Sequence, residues 1–343
     1  MDKSNLYILR TIDLALQSDI KIKFNPPVGC IIVKNDTIIG EGYHKEYGKA
    51  HAEVNATQDA IQHGFSVDDS DYYVSLEPCG HFGNTPPCAK LIAENKAKNV
   101  FYFEDDPNPI TAGKGEEILK EAGINMCNIL PAHQSSLIDR FYINQINHRP
   151  KVILKFAQTI DGKMASSSKR IIISNPISAR LVHRWRSESD GILIGSGTLE
   201  MDNPLLDNRL WFGESPHRFV IGKKWHKPLA SYKLFHDDKK STWLNTGTLQ
   251  EKNIDTQQVE NPVKWDNIWK MLYQNYSITN LLVEGGAQVL NSIINQGAFD
   301  EIRTITASTT IKEADIKAPI LNGIRLIKEI NLSGDQISWY VKS

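Results

Sequence analysis

The sequence has little cysteine and no long apolar segment. Four cysteines in 343 residues are too few for a disulfide framework, and in a reducing compartment paired cysteines are more often metal ligands. No apolar run approaches the roughly 20 residues that span a bilayer, and the N-terminal residues lack the apolar core of a signal peptide. The sequence therefore predicts a cytoplasmic protein that does not bind membranes.

An excess of charge of one sign is also missing. The 39 basic and 40 acidic side chains give a formal net charge of −1, which disfavours a general nucleic-acid surface. The seven tryptophans, Trp265 and Trp269 among them, are expected to pack in the core, because a base-stacking platform would need basic residues beside them. We therefore expect no nucleic-acid partner.

The length favours two domains, since one hydrophobic core rarely serves so many residues. Strand and helix patterns alternate in both halves, which is typical of α/β architecture. A linking helix is predicted over 135–147, the tripeptide His-Arg-Pro at 148–150 interrupts the pattern, and an apolar strand follows. The predicted domains are therefore 1–147 and 148–343.

The sharpest motif joins H-A-E at 51–53 to P-C-G-H-F-G-N-T-P-P-C at 78–88. One imidazole and two thiolates, from His51, Cys79 and Cys88, are the three protein ligands of a catalytic zinc site. Zinc lowers the pKa of its water, and Glu53 is close enough in sequence to move the proton without ligating the metal. The motif is the H-x-E…P-C-x-x-C signature of nucleobase deaminases with a longer cysteine spacing. A structural zinc site with His81 as fourth ligand is the alternative, although it would not need Glu53.

The second half carries weaker signals. No G-x-G-x-x-G follows a strand and opens a helix, so a Rossmann dinucleotide fold is unsupported. The segments G-S-G-T at 195–198 and E-G-G at 284–286 each follow an apolar strand, where open α/β sheets bind ligands. Ordinary turns would explain both segments. From its residues alone, this half is a mixed α/β domain of open function.

Motifs along the chain resemble the bifunctional riboflavin-biosynthesis deaminase/reductase family. The resemblance rests on N-P-P-V-G-C (25–30), G-Y-H (42–44), H-A-E, L-E-P-C-G-H-F-G-N-T-P-P-C (76–88), D-P-N-P…A-G-K-G (106–115), K-F-A-Q-T-I-D-G-K-M-A (155–165), L-V-H-R-W-R-S-E-S-D-G-I-L-I-G-S-G-T (181–198), D-N-P-L-L (202–206) and V-E-G-G (283–286). It implies a three-layer, cytidine-deaminase-like α/β domain followed by a dihydrofolate-reductase-like α/β domain. A homo-oligomer is also expected by resemblance.

The resemblance implies two successive reactions on a small-molecule phosphoribosylaminopyrimidine. The first is hydrolytic deamination of 2,5-diamino-6-(5-phosphoribosylamino)pyrimidin-4-one, and the second is NADPH-dependent reduction of the ribosyl side chain to ribityl. In the first domain, the implied roles are Zn2+ binding by His51, Cys79 and Cys88, acid/base catalysis by Glu53, and substrate contact by Asn25 and His44. In the second domain, they are NADPH binding by Ala157, Thr198, Asp202, Gly285 and Gly286, substrate binding by Arg186, Leu206, Arg209 and Glu284, and a proton step at Asp202.

Three segments depart from the family pattern. The stretch S-S-S-K-R-I-I-I-S (166–174) places Ile171 where an aromatic residue is expected, Asn84 replaces a basic residue, and 306–315 lacks the proline and glycine pattern. An active deaminase with an inactive or altered reductase domain is therefore one alternative. A zinc deaminase acting on another nucleobase, nucleoside or tRNA is a second, and a zinc-stabilised scaffold without chemistry is a third.

Overall fold

The computed structural model describes residues 3–18, 22–82, 86–108, 111–129, 137–223, 226–247 and 254–343. The chain divides into two compact units, Met1–Asn147 and His148–Ser343. Within the described ranges, no helix combines the length and the apolar character required to cross a bilayer.

The first unit is a five-stranded sheet with helices. Its elements are α1 (Lys3–Ala15), β1 (Gly29–Lys34), β2 (Thr37–Tyr43), α2 (Ala52–Gln62), β3 (Asp71–Val74), α3 (Cys88–Glu94), β4 (Asn99–Tyr102), α4 (Lys114–Glu121), β5 (Asn125–Asn128) and α5 (Asp139–Asn147). The strand order is β2-β1-β3-β4-β5. β1 runs antiparallel to β2 and β3, whereas β3, β4 and β5 are parallel. The predicted helix over 135–147 is observed as α5, although residues 130–136 lie outside the described ranges.

Close backbone packing places α2 on β2. A Cβ atom at Gly42 would lie 2.3 Å from the backbone nitrogen of Ala56 and 2.5 Å from the carbonyl oxygen of Ala52. Only glycine permits this approach, because any side chain would overlap the helix backbone. The alanines of α2 then pack with Tyr72 and Val74 in a fully buried core. This packing determines where α2 begins, and the first turn of α2 carries functional side chains.

The second unit is built on a nine-stranded sheet. Its elements are β6 (Lys151–Thr159), β7 (Lys163–Ala165), α6 (Pro176–Ser187), β8 (Gly191–Gly195), α7 (Ser196–Asp202), β9 (His217–Gly222), two short 3-10 helices (Leu229–Ser231 and Lys233–Phe235), β10 (Ser241–Asn245), β11 (Asp255–Gln258), α8 (Trp265–Tyr276), β12 (Asn280–Val283), α9 (Ala287–Asn295), β13 (Glu301–Ala307), β14 (Ile316–Lys317), β15 (Ile324–Leu332) and β16 (Asp335–Lys342). The order is β11-β10-β9-β8-β12-β6-β13-β16-β15. The strands from β11 to β13 are parallel, and β16 and β15 extend the sheet in antiparallel fashion.

The tryptophans of α8 belong to the core of this unit. Trp265 and Trp269 stack with ring centroids 5.0 Å apart, and both rings are almost completely buried. The indole N–H of Trp269 donates to the carbonyl of Ala298 at 2.8 Å, which satisfies its polar atom inside the core. The prediction that these residues serve packing is confirmed.

Candidate active sites

Three predicted metal ligands converge in the first unit. The ligand atoms of His51, Cys79 and Cys88 all lie within 4.8 Å of one another. Nδ1 of His51 is 3.2 Å from Sγ of Cys88 and 3.6 Å from Sγ of Cys79. A tetrahedral zinc ion bonded at about 2.1 Å to nitrogen and about 2.3 Å to sulfur holds such atoms about 3.6 Å apart. The three side chains therefore fit a zinc ion that would be bound through Nδ1 of His51.

Local backbone structure holds each ligand in place. His51 is the residue that precedes α2, and Cys88 is the first residue of α3. The Cys79 loop packs directly against the start of α4, since a Cβ atom at Gly115 would lie 1.9 Å from the carbonyl oxygen of Pro78. The glycines of P-C-G and A-G-K-G thus bring two backbones together, which explains why these motifs accompany the cysteines.

The two thiols share charge unequally. The side-chain hydrogen bond with Cys88, together with His51, lowers the pKa of Cys79 to about 4, whereas the pKa of Cys88 is raised by that hydrogen bond and by burial. The backbone N–H of Cys88 also donates to Sγ of Cys79 at 3.4 Å. A thiolate beside an imidazole is the donor set that zinc prefers. Among the described residues, the cluster contains no fourth ligand, and His81 is not part of it.

Glu53 lies in the first turn of α2 and is 4% exposed. Burial, and next the negative charge at Cys79, raise the pKa of its carboxyl group. A carboxyl group with a raised pKa exchanges protons more readily near neutral pH. Because it lines the same cavity as His51 and Cys79, Glu53 is placed to serve a ligand at the metal cluster.

The cavity above the cluster has a volume of ≈ 410 Å³, and Asn25 and His44 also line it. Nδ1 of His44 lies 3.1 Å from the carbonyl oxygen of Ala50, so this nitrogen donates. Burial lowers the pKa of His44, and the neutral ring therefore accepts at Nε2 from the amide nitrogen of Asn25 at 2.9 Å. Among the described residues, no group donates a hydrogen bond to Oδ1 of Asn25, so this oxygen can accept one from a ligand.

Sequence reasoning missed two acidic residues of this cavity. Glu77 accepts the backbone N–H groups of Gly113 at 2.7 Å and of Asp106 at 3.4 Å. Asp106 in turn accepts the N–H of Asn108 and the hydroxyl of Thr111. These carboxylates hold the cavity wall together. Their position within the L-E-P-C and D-P-N-P motifs was the available signal.

In the second unit, one cavity of ≈ 440 Å³ brings together the predicted reductase residues. Its lining includes Ala157, Arg186, Thr198, Asp202, Leu206, Arg209, Glu284, Gly285 and Gly286. A neighbouring cavity of ≈ 450 Å³ shares Thr198, Asp202 and Gly286 with it. Two adjoining spaces with a common wall suit two ligands that must touch each other.

A buried charge network forms the floor of the first of these cavities. Arg186 donates from Nε and Nη2 to the two carboxylate oxygens of Glu284, at 2.6 and 2.9 Å. Lys155 of β6 lies 3.7 Å from the same carboxylate. Although burial alone would raise it, Arg186 and Lys155 lower the pKa of Glu284 to about 2. Burial lowers the pKa of Lys155.

Lys155 also lines this cavity, and sequence reasoning missed it. The available signal was a single lysine within the otherwise apolar strand K-V-I-L-K-F-A.

Two arginine side chains hold the loop after α7 by hydrogen bonds to its backbone carbonyl groups. Nη1 of Arg186 donates to the carbonyl of Asp207 at 2.9 Å, and the fully buried Arg218 donates to the carbonyl of Leu205 at 3.3 Å. Leu206, with φ of 51°, is buried between these points, whereas Arg209 is half exposed. Both predicted arginines form ion pairs, Arg186 with Glu284 and Arg209 with Asp207, but Arg186 is mostly buried whereas Arg209 reaches solvent.

Asp202 ends α7 and lies on the wall shared by both cavities. Burial raises the pKa of its carboxyl group, and the nearby Arg170 opposes part of that effect. Ile171, which stands where the family pattern has an aromatic residue, also lines both cavities. Asn84 lies outside the described residues.

Comparisons with known proteins identify both domains of the chain. Residues 1–104 match the family model "Cytidine and deoxycytidylate deaminase zinc-binding region", and residues 150–315 match "RibD C-terminal domain". The chain is 34% identical to riboflavin biosynthesis protein RibD of Bacillus amyloliquefaciens, over 86% of this chain and 82% of the relative. It is 35% identical to RibD of Aquifex aeolicus, over 89% and 86%.

Solved structures show the same fold over the full length. A deaminase/reductase of Thermotoga maritima, described as a diaminohydroxyphosphoribosylaminopyrimidine deaminase/5-amino-6-(5-phosphoribosylamino)uracil reductase, superposes with a TM-score of 0.88 at 26% identity and covers 99% of both chains. RibD of Acinetobacter baumannii superposes with a TM-score of 0.85 at 27% identity, with the same coverage. The chain therefore belongs to the RibD family of riboflavin biosynthesis proteins, with a zinc-binding deaminase domain followed by a reductase domain.

Proposed function

We propose that this chain carries out two consecutive steps of riboflavin biosynthesis. The N-terminal domain hydrolytically deaminates 2,5-diamino-6-(5-phosphoribosylamino)pyrimidin-4-one, and the C-terminal domain then reduces the ribosyl side chain of the product to ribityl with NADPH. The convergence of His51, Cys79 and Cys88, the first two of which line one cavity with Glu53, carries this proposal.

In the deaminase, Glu53 moves the protons and the cavity walls orient the ring. A zinc ion held by His51, Cys79 and Cys88 supplies a Lewis acid that makes water nucleophilic near neutral pH. The raised pKa of Glu53 suits a group that takes a proton from the attacking water and delivers it to the leaving amine. Asn25, held by His44, accepts a hydrogen bond from the substrate at Oδ1.

In the reductase, the two adjoining cavities hold cofactor and substrate against each other. The cavity of ≈ 450 Å³ is the cofactor cavity, and the cavity of ≈ 440 Å³ is the substrate cavity. Reduction of ribosyl to ribityl breaks the C1′–O4′ bond, and C1′ gains a hydride while O4′ gains a proton. NADPH supplies that hydride when bound. Asp202 on the shared wall has a raised pKa, and we assign the proton to its carboxyl group. Glu284 holds Arg186 and Lys155 at the substrate cavity, while Arg209 at its edge suits the phosphate.

A lysine and a histidine favour NADPH over NADH. A further cavity, which shares Gly195, Gly197 and Gln288 with the cofactor cavity, is lined by Lys223 and His226. Basic side chains in this position suit the additional phosphate that distinguishes NADPH.

The two activities can be tested separately with the purified chain. Ammonia release from the diaminopyrimidine substrate measures the first step. Loss of absorbance at 340 nm on mixing 5-amino-6-(5-phosphoribosylamino)uracil with NADPH measures the second. Ammonia release without NADPH oxidation would support an active deaminase with an altered reductase instead. Ammonia release from an unphosphorylated base or nucleoside, with none from the phosphorylated diaminopyrimidine, would exclude the proposed substrate.

A further inference from the structure

The charged side chains that line the deaminase cavity differ in whether the protein itself supplies their partners. The carboxylate oxygens of Glu77 and Asp106 accept hydrogen bonds from backbone N–H groups and from the hydroxyl of Thr111. Among the described lining residues, Lys49 is the one lysine or arginine, and it is exposed. In the part of the chain that the structure describes, no carboxylate forms an ion pair with its ammonium group. Within the described residues, the cavity therefore presents one ammonium group that no carboxylate neutralises.

Lys49 lies on the side of the cavity that leads to solvent. Its backbone N–H donates to the carbonyl of Glu46 at 3.1 Å, which closes a turn just before His51. Two residues span at most about 7 Å of chain, so Lys49 is close to the cluster in sequence, and it is exposed whereas Glu53 is buried. A pyrimidine whose reacting carbon lies at the metal cluster, beside the buried Glu53, must direct its sugar substituent away from the cluster toward this exposed rim.

We propose that Lys49 binds the phosphate of the phosphoribosyl group during deamination and thereby selects phosphorylated over unphosphorylated pyrimidines. The inference rests on the proposed function and deepens it, because it names the group that the deaminase recognises beyond the ring. A phosphate carries close to two negative charges, and a lysine ammonium is a compact partner for it. Lys49 does not touch the reacting atoms, so it acts on substrate affinity and not on the chemical step.

The test compares Lys49→Met with Lys45→Met as a matched control. Lys45 belongs to the same loop and is exposed, but its ammonium lies over the ring of Tyr43, 5.6 Å from the centroid, and it does not line the cavity. Each variant is assayed for ammonia release from the phosphorylated substrate and from the same compound after removal of its phosphate. Zinc content and reductase activity are measured in parallel to verify folding.

We expect Lys49→Met to lower kcat/KM for the phosphorylated substrate by about 10- to 100-fold, the usual effect of losing a hydrogen bond to a charged group, through KM. Its activity on the dephosphorylated compound should equal that of the wild type, and inorganic phosphate should inhibit it less strongly. Lys45→Met should behave as the wild type throughout. An equal loss on both compounds, or no loss on either, would overturn the inference.

Failure of the proposed function would look different. The zinc-loaded wild type would then release no ammonia from the phosphorylated diaminopyrimidine, whatever residue stands at position 49. That result would overturn both the substrate assignment and the role of Lys49. Normal wild-type activity with an unchanged Lys49→Met variant would overturn only the latter.

Discussion

Asp315 accepts two hydrogen bonds from Ser167, one from its backbone N–H at 2.8 Å and one from its hydroxyl at 2.5 Å. A second contact joins the same segments, between Lys169 and Glu313 at 3.0 Å. Both segments depart from the family pattern, and the structure shows that the departures contact each other beside β7 and β14. Ser167 and Ile316 line the cofactor cavity, so the paired segments form one of its walls.

Asp315→Ala should therefore weaken cofactor binding. Loss of both hydrogen bonds frees the wall that carries Ser167, and we expect the KM for the nicotinamide cofactor to rise about tenfold, with deamination unchanged. Glu313→Gln is the matched control: Asp315 and the Lys169–Glu313 pair are all exposed, but this substitution removes only the ion pair, which contributes little, and keeps both hydrogen bonds from Ser167 to Asp315. Steady-state NADPH kinetics measure both variants. Equal effects of the two substitutions would contradict the assignment.

Glu53→Gln should abolish deamination and leave the metal in place. The amide keeps the shape of the side chain but cannot move a proton, and the loss of general acid/base catalysis costs about 10²- to 10⁴-fold. Ammonia release gives the rate, and elemental analysis gives the zinc content. Loss of zinc from this variant would show that Glu53 supports the metal and not the proton transfer.

Removal of the metal should separate the two activities. A chelator that strips His51, Cys79 and Cys88 should stop ammonia release, because three ligands without their ion cannot activate water. NADPH oxidation should persist, since the described residues of the second unit contain no comparable group of ligands. Added zinc should restore deamination. Parallel loss of both activities would mean that the metal stabilises the whole chain.

Because of the carboxylate of Glu284, the free energy of unfolding of the second unit should decrease at low pH. The pKa of this carboxyl group is about 2 in the folded protein and 4.5 ordinarily, so its stabilising effect is present above pH 4.5 and is lost as the pH falls through about 2. The difference corresponds to about 3 kcal/mol in the free energy of unfolding. Glu284→Gln should destabilise the unit by about this amount at neutral pH.

This deficit should shrink as the pH approaches 2, because the protonated carboxyl group of the wild type then resembles the amide. Denaturant unfolding over a pH series measures it. A deficit that stays constant with pH would show that packing, and not charge, determines the effect.

Lys223→Glu should reduce the preference for NADPH over NADH. Reversal of the charge next to the end of β9 opposes the additional phosphate, and we expect the ratio of the two kcat/KM values to fall about 10- to 100-fold. Lys240→Glu, an exposed residue that does not line the cavity, serves as the charge-matched control. If both cofactors lose activity equally, Lys223 does not recognise that phosphate.

The sequence alone predicted the zinc ligands, Glu53 and the alternation of strands and helices along the chain, because these depend on local spacing. His51 and Glu53 are separated by one residue and share the start of one helix. The packing of Gly115 against Pro78 could not be predicted, since nothing local in the A-G-K-G motif reveals this contact.

Tertiary structure alone decided which distant charges meet. β12 follows β6 late in the chain but pairs beside it in the sheet, and this pairing brings Glu284 to Lys155 of β6 and to Arg186 of α6. The sequence pattern of β6 alone could not show that Lys155 would lie beside a carboxylate from another strand. Ser167 and Asp315 meet for the same reason, because β7 pairs with the distant β14. Contacts of this kind depend on strand order, which short-range sequence patterns do not encode.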